Sequence, residues 1–274
     1  MSEIKIQESG PDWIKERIRQ YWNQPETRSS NTSRMPTDGE EQACKAFFSE
    51  KLGPEKKTVL DVGTGIGFLA LPLAELGHKV VAIDLAEGMI LQARERAEER
   101  GLRIEFRTGD AETLDLEDQS FDAVVSRWVL WTLPNPHKAV IEWSRVLKSD
   151  GKIYAFTTDL SLEAKQGPYK WCRTNFSKLL ISLTERRNAW IQSYDKNVSK
   201  VLPRANTNNG SWVANVVKIF KDCGLSEVMA DQMEEVSREA RLKSRSLPFR
   251  YKITWNGHAR DFVCVSGRKP EKVS

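Results

Sequence analysis

Short apolar runs alternate with amphipathic segments between residues 58 and 158. Five runs predict strands, at 58–62, 79–84, 103–109, 121–126 and 151–158. Three segments with apolar residues at helical spacing lie among them, at 66–76, 87–100 and 137–147. Strands that alternate with helices are typical of a parallel sheet with right-handed crossovers. Because the strands are apolar on both sides, we expect helices on both faces of this sheet.

Two more helices are predicted before this region, at 11–24 and 38–52, and the polar segment between them predicts a loop. The first helix carries an apolar stripe, which must be buried somewhere. The carboxyl edge of the sheet offers a surface for it. We therefore expect residues 1–52 to form N-terminal helices, of which residues 1–35 act as a lid over a pocket at that edge.

The alternation of strands and helices stops after residue 158. Residues 159–210 are irregular, with helical patches, and we interpret them as an insert that caps a substrate. A helix is predicted at 211–224, followed by two strands at 247–255 and 259–267 with an Asn256-Gly257 turn between them. The predicted organisation is N-terminal helices at 1–52, a core at 53–158, the insert at 159–210 and a sheet-completing segment at 211–274. The predicted fold class is α/β, with a doubly wound, mostly parallel seven-stranded sheet and an antiparallel edge hairpin.

Composition excludes several classes of protein. The net charge of +4 is too small to indicate a nucleic-acid binder. The four cysteines lie far apart without a CxxC pair, so neither a metal site nor a disulfide scaffold is predicted. The chain shows no signal-like apolar segment at its start and no apolar run of about 18 residues. We therefore expect a cytoplasmic protein without a membrane span.

The stretch TVLDVGTGIGF, at 58–68, places an acid and three glycines where the first strand ends. A phosphate-binding loop would end in GKS or GKT, which is absent, and the pattern typical of dinucleotide sites is interrupted at Phe68. Asp61 would also repel a pyrophosphate. A ligand with a cationic group fits this turn better, and the alternative is an ordinary tight strand-to-helix turn.

Further acids follow the next strands. Asp84 ends the second strand, where an acid can accept hydrogen bonds from both ribose hydroxyls of a nucleoside. Asp110, in GDAE, follows the third strand, and SRWVLW at 126–131 follows the fourth. Carboxyl ends of parallel strands meet at one edge, which is where ligands bind in such sheets. The structural alternatives are a helix N-cap for Asp84 and a turn aspartate for Asp110.

Residues 56–158 resemble the class I S-adenosylmethionine-dependent methyltransferases, in particular the small-molecule group often called type 11, which is similar to ubiquinone and menaquinone biosynthesis enzymes. The resemblance rests on the glycine-rich stretch, on GDAETLDLEDQSFDAVVSRWVLWTLPNP and on EWSRVLKSDGKI. It implies a Rossmann-like fold and S-adenosylmethionine as cofactor. It also implies site roles: the methionine part faces Asp61, Gly63, Thr64, Gly65 and Gly67; the ribose binds Asp84; the adenosine packs near Leu85 and Met89; the adenine edge meets Asp110 and Ala111; and the methyl end is lined by Ser126 and Arg127.

The resemblance implies an enzyme that transfers a methyl group to a small-molecule acceptor by direct in-line displacement. The candidate catalytic residues are Tyr21, as a base on the lid helix, and Arg127. Residues 159–210 contain nine Lys or Arg against four Asp or Glu. This excess of positive charge would attract an anionic acceptor or RNA, and the alternative is an ordinary solvated face. The alternatives are a methyltransferase for RNA or protein and a cofactor-binding protein without turnover. Nucleic acid is the less favoured partner, no metal is expected, and the chain is expected to be a monomer or homodimer.

Overall fold

The structure is a computed structural model that describes residues 10–24, 36–158, 211–246 and 262–271. Its α-helices are α1 (Pro11–Asn23), α2 (Asp38–Leu52), α3 (Ala70–Glu75), α4 (Glu87–Glu99), α5 (Pro136–Val146), α6 (Trp212–Asp222) and α7 (Glu234–Ser246). Its strands are β1 (Thr58–Val62), β2 (Lys79–Asp84), β3 (Glu105–Thr108), β4 (Phe121–Arg127), β5 (Leu147–Thr158), β6 (Ser226–Gln232) and β7 (Phe262–Arg268). Among these helices, none is both long enough and apolar enough to cross a bilayer.

The seven strands of the described residues form one sheet in the order β3-β2-β1-β4-β5-β7-β6. The first five are parallel, and β7 runs antiparallel to both β5 and β6. The predicted fold class is confirmed. Because the strand order reverses direction between β1 and β4, the carboxyl ends of these two strands flank the crevice where such sheets bind ligands.

Apolar residues on alternate positions of each strand build a core on both faces of the sheet. Leu60 and Val124 face one layer, in which Trp143 of α5 and Trp212 of α6 are buried. Val59 and Val125 face the other layer, in which Phe48 of α2 is fully buried. Both core layers therefore support β1 and β4, the two strands beside the crevice.

A capping box starts α2 where the polar segment of the N-terminal region ends. The Thr37 hydroxyl accepts the backbone N–H of Glu40 at 3.1 Å, and the Glu40 carboxylate accepts the backbone N–H of Thr37 at 2.9 Å. These two bonds satisfy donors that a helix start leaves free. The predicted span 38–52 is confirmed for this reason.

Four predicted elements differ from the structure. The strand predicted at 151–158 begins earlier, at Leu147. The helix predicted at 66–76 begins only at Ala70, because a glycine-rich turn occupies the residues before it. The strand predicted at 103–109 is limited to Glu105–Thr108. The antiparallel edge is present, but β7 pairs with β5 on one side and β6 on the other, so β6 rather than 247–255 is its edge partner. Residues 247–255, like the predicted insert at 159–210, lie outside the described residues.

Candidate active site

The glycine turn, residues 63–67, follows β1 at the carboxyl edge of the sheet. The backbone N–H groups of Gly63 and Thr64 both donate to the Ile83 carbonyl of β2, at 2.8 and 2.9 Å. Gly63 has φ +68°, and a Cβ there would overlap the Val129 side chain. Gly65 has φ +56°, but a Cβ there would meet no protein atom within 4 Å. Gly63 is therefore required by close packing, whereas Gly65 borders open space.

Asp61 lies beneath this turn and is 1% exposed. Its Oδ2 accepts a hydrogen bond from the Thr64 hydroxyl at 2.7 Å. Burial raises the pKa of Asp61 to about 7, while the hydrogen bond from Thr64 acts in the opposite direction. A cationic group placed beside this carboxyl would favour its ionised form.

Asp84, at the end of β2, connects that strand to the glycine turn. Its Oδ2 accepts the Gly65 N–H and its Oδ1 accepts the Ala86 N–H, both at 2.9 Å. Burial raises the pKa of Asp84, and these backbone bonds oppose the rise. The N-cap of α4 is Ala86, so the helix-cap alternative for Asp84 is wrong. Each carboxylate oxygen retains capacity to accept a further hydrogen bond.

Asp110, after β3, forms an ion pair that the sequence did not indicate. Lys15 of α1 places its Nζ 2.7 Å from Asp110 Oδ2 and 2.8 Å from Glu112 Oε2. Asp110 also accepts the Glu112 N–H, as expected for a turn aspartate, and the buried Glu112 accepts the Asn135 N–H at 2.6 Å. These contacts connect α1 to the loop after β3.

Helix α1 lies across the loops that follow β2 and β3. Ile14 and Ile18 pack with Leu85, and Trp22 packs against Ile66, Ala86 and Met89. Asn23 accepts the Gly88 N–H at 2.8 Å and so satisfies a free donor at the start of α4. The predicted adenosine-contacting residues Leu85 and Met89 therefore touch α1 directly. Tyr21 is buried, with its ring edge-on to Trp22 at a centroid distance of 5.1 Å.

Ser126 and Arg127 end β4 on the other side of the crevice. Within the described residues, neither the buried Ser126 hydroxyl nor the Arg127 Nε has a hydrogen-bond partner. The Arg127 guanidinium carbon lies 3.5 Å from the Phe68 ring centroid and 3.9 Å from that of Trp128. Burial lowers the pKa of Arg127 to about 10. Trp128 has φ +60°, a strained conformation for a bulky residue of the kind found at functional sites.

The comparisons with known proteins agree with this arrangement. Residues 60–155 match the family described as methyltransferase domain. These residues form a methyltransferase domain. The predicted resemblance is therefore confirmed.

Two relatives are similar to this domain. The ubiquinone biosynthesis O-methyltransferase of Maricaulis maris (strain MCS10) is 36% identical over 107 residues, which are 39% of this chain and 42% of that protein. The phosphatidylethanolamine N-methyltransferase of Cereibacter sphaeroides is 40% identical over 97 residues, which are 35% of this chain and 47% of that protein. The chain thus matches less than half the length of either relative.

A solved structure shares the fold well beyond the methyltransferase domain. The magnesium protoporphyrin IX methyltransferase from Synechocystis PCC 6803, solved with bound S-adenosylmethionine, aligns with a TM-score of 0.56 and 15% identity. The alignment covers 98% of this chain and 100% of that chain. At this identity the likeness shows the fold alone.

The methyltransferase domain brings most of the predicted site residues together. Asp61, the glycine turn and Asp84 form one hydrogen-bonded group, and Asp110 lies at the neighbouring strand end. The buried Ala111 accepts the Trp143 indole N–H at 3.0 Å through its carbonyl, a contact with α5. In the described ranges no group of three metal-ligating side chains occurs.

A brace behind the glycine turn was missed by sequence reasoning. Arg96 of α4 donates to the Ile66 carbonyl at 2.6 Å and to the Glu41 carboxylate of α2 at 3.1 Å. Arg96 lies 30 positions from Ile66 and 55 positions from Glu41 in the sequence, so local spacing does not indicate these contacts. The brace supports the shape of the turn and connects it to α2, which lies outside the methyltransferase domain.

Proposed function

We propose that this protein is an S-adenosylmethionine-dependent methyltransferase that transfers a methyl group to a small-molecule acceptor. One observation carries the proposal: the open face of the glycine turn at Gly65 lies beside the buried Asp61 and the half-buried Asp84, at the switch point of a methyltransferase domain.

The residues present fit this cofactor. A Cβ at Gly65 would project into open space, which leaves room for a ligand against the backbone. Asp84 has acceptor capacity for ribose hydroxyls beyond its two backbone bonds. Asp61 supplies a carboxyl that an ammonium group would ionise. The unpartnered Ser126 hydroxyl offers a polar contact across the crevice.

The adenosine end is proposed to lie between Asp84 and Asp110, against Leu85, Met89 and Ala111. Helix α1 covers this end through Trp22 and Lys15. We propose that the predicted lid at residues 1–35 acts here by excluding water, which strengthens electrostatic contacts inside the site. We also predict that the lid becomes ordered when ligand binds and that Tyr21 acts as a base.

The cofactor supplies a methyl group already activated on a sulfonium. The side chains then have to hold the acceptor in line behind that methyl group, and orientation of this kind can contribute about 7–11 kcal/mol. The names of the two relatives assign one to oxygen methylation and the other to nitrogen methylation. This difference supports a small-molecule acceptor chosen by residues around the common domain, and we propose that the insert at 159–210 takes part.

Transfer of label from S-adenosylmethionine tests the proposal. The protein is incubated with methyl-labelled cofactor and cell extract, and the products are separated by size. We expect label in low-mass products, and we expect Asp84→Ala to abolish most of it. Label in RNA or protein would favour the macromolecular alternative. Cofactor binding without any label transfer would favour a binding protein without turnover.

A further inference from the structure

We propose that Arg127 binds an oxyanion on the methyl acceptor, so that the acceptor is a small molecule bearing a carboxylate or a phosphate. The inference rests on the proposed function and names the substrate class of that site. Its starting point is the guanidinium of Arg127, for which the described residues supply no anionic partner.

Arg127 makes neither a hydrogen bond nor an ion pair in the described part of the chain. Its Nε is enclosed and lacks an acceptor, and its charge lies over the rings of Phe68 and Trp128. Cation–π contact stabilises the charge, but it gives the N–H groups no acceptor. A buried charge without a partner is costly unless a ligand completes it, so this arrangement indicates a binding role.

Three groups act electrostatically on Arg127, but none of them forms an ion pair with its guanidinium. They are Cys44, Glu40 and Asp61. The Cys44 thiol is neutral, because burial raises its pKa to about 12. The Glu40 carboxylate is engaged by the Thr37 N–H, and the Asp61 carboxylate is engaged by the Thr64 hydroxyl. Neither carboxylate lies within ion-pair distance of the Arg127 guanidinium.

The position of Arg127 in the sheet favours the acceptor over the cofactor as the source of the oxyanion. Apart from Ser126, the proposed polar cofactor contacts Asp110, Asp84 and Asp61 lie at the carboxyl ends of β3, β2 and β1, on one side of the crevice. Arg127 ends β4, on the other side, and its guanidinium carbon lies 5.8 Å from the centroid of the Phe262 ring of β7. If the residues at the ends of β1 to β3 hold the cofactor, the β4 side of the crevice would be left for the acceptor. Arg127 therefore stands where the acceptor approaches.

Guanidinium chemistry sets the ligand class. Its N–H groups form a planar fork that matches the oxygens of a carboxylate or phosphate, and such charge-assisted pairs are stronger than neutral hydrogen bonds. Two ring faces already cover the Arg127 charge. We infer that the acceptor presents its oxyanion to the free N–H groups rather than stacking on the guanidinium.

The test measures binding of three small probes to protein saturated with S-adenosylhomocysteine. Benzoate, phenyl phosphate and the neutral benzamide are titrated and followed by ligand-observed NMR. We expect at least one of the two oxyanions to bind about 10- to 100-fold more tightly than benzamide, as hydrogen bonds to charged groups allow. The better of the two identifies carboxylate or phosphate as the natural group. Arg127→Met should remove this preference, and Arg127→Lys should restore only part of it, because lysine lacks the fork.

Two controls separate binding from structure. Arg107→Met removes an exposed arginine that pairs with Glu105 on β3, and it should leave the preference intact. Arg127→Met should unfold, without ligand, at or above the temperature of the wild type, because it removes an uncompensated charge. A clear fall in that temperature would assign Arg127 to the folded structure and overturn the proposal.

Other outcomes separate this inference from the proposed function. Equal binding of all three probes, or saturable binding of none, overturns the role of Arg127 while cofactor binding and label transfer can still stand. A large loss of S-adenosylhomocysteine affinity in Arg127→Met would assign the arginine to the carboxylate of the cofactor instead. Loss of cofactor binding in the wild type itself would refute the proposed function.

Discussion

Gly65→Ala separates a ligand-facing glycine from one that only shapes the backbone. Gly65 has φ +56° and open space where a Cβ would stand. Gly101, just after α4, has φ +65° and equally open space, but it precedes β3 at the opposite edge of the sheet from the proposed site. The two alanine variants therefore add the same methyl group to similar backbone, and Gly101→Ala is a matched control.

The two effects have different magnitudes. A non-glycine residue in the left-handed conformation costs about 1–2 kcal/mol, and both variants should lose about this much stability. In a chain of this size, that loss corresponds to a fall in Tm of roughly 2–8 °C. Only Gly65→Ala should also crowd the cofactor. Overpacking by one methyl group costs about 1–3 kcal/mol, which is about a 5- to 150-fold increase in Kd.

Calorimetric titration with S-adenosylhomocysteine, together with thermal unfolding of each variant, checks this prediction. Gly65→Ala should bind about 5- to 150-fold more weakly than the wild type, and Gly101→Ala should bind as the wild type does. Wild-type affinity in a folded Gly65→Ala protein would refute the reasoning, since it would mean that the open space at the turn is not where the cofactor lies.

Three further predictions concern charged groups. Asp84→Ala should weaken S-adenosylhomocysteine binding by about 1.5–3 kcal/mol. The control Asp122→Ala removes a carboxylate that accepts the Thr58 N–H at the opposite edge of the sheet, and it should leave binding unchanged. Equal affinities of the two variants would remove Asp84 from the ribose role. The pKa of Asp61 is raised to about 7, so below that pH a ligand ammonium must displace a proton from its carboxyl in order to bind. The Kd should therefore rise about tenfold per pH unit below pH 7 and stay flat above it. The same pH profile in Asp61→Asn would contradict this prediction. Lys15→Met should lower the free energy of unfolding in urea by about 1–3 kcal/mol, because it leaves the buried Glu112 without its cation. Arg19 is exposed, so Arg19→Met should change this free energy by less than about 1 kcal/mol. Equal effects of the two variants would show that the Lys15 ion pair does not stabilise the fold.

The central strands could be predicted because their physics is local. β1 and β2 are short runs that are mostly apolar on both faces, so composition and length suffice to place them. β6 was missed because it is a mostly exposed edge strand, SEVMADQ, without apolar alternation. Its strand conformation depends on pairing with β7, which lies more than 30 residues later in the chain. Tertiary pairing of this kind leaves no local pattern.

The same distinction holds for the site. Asp61, Asp84 and the glycine turn could be located because each lies at the end of a recognisable strand. The ion-pair partner of Asp110 could not be predicted, because Lys15 lies 95 residues away, on a helix whose polar positions are not distinctive. The sequence also could not show that Arg127 lacks an anionic partner among the described residues, since a sequence pattern shows which side chain is charged but not whether the fold neutralises it.

The placement of β7 has a consequence for how the chain is made. β6 and α7 leave the ribosome before β7, yet β7 lies between β5 and β6 and pairs with both. In the described residues, β6 has β7 as its sheet partner, so a nascent chain that ends before residue 262 holds an unpaired edge on β5 and an unpaired β6. The five parallel strands that carry the crevice are complete by residue 158, so they can pair during synthesis while the other end of the sheet waits. Ribosome pausing or truncation late in the message would therefore leave a chain with a formed crevice and a sheet edge open to aggregation.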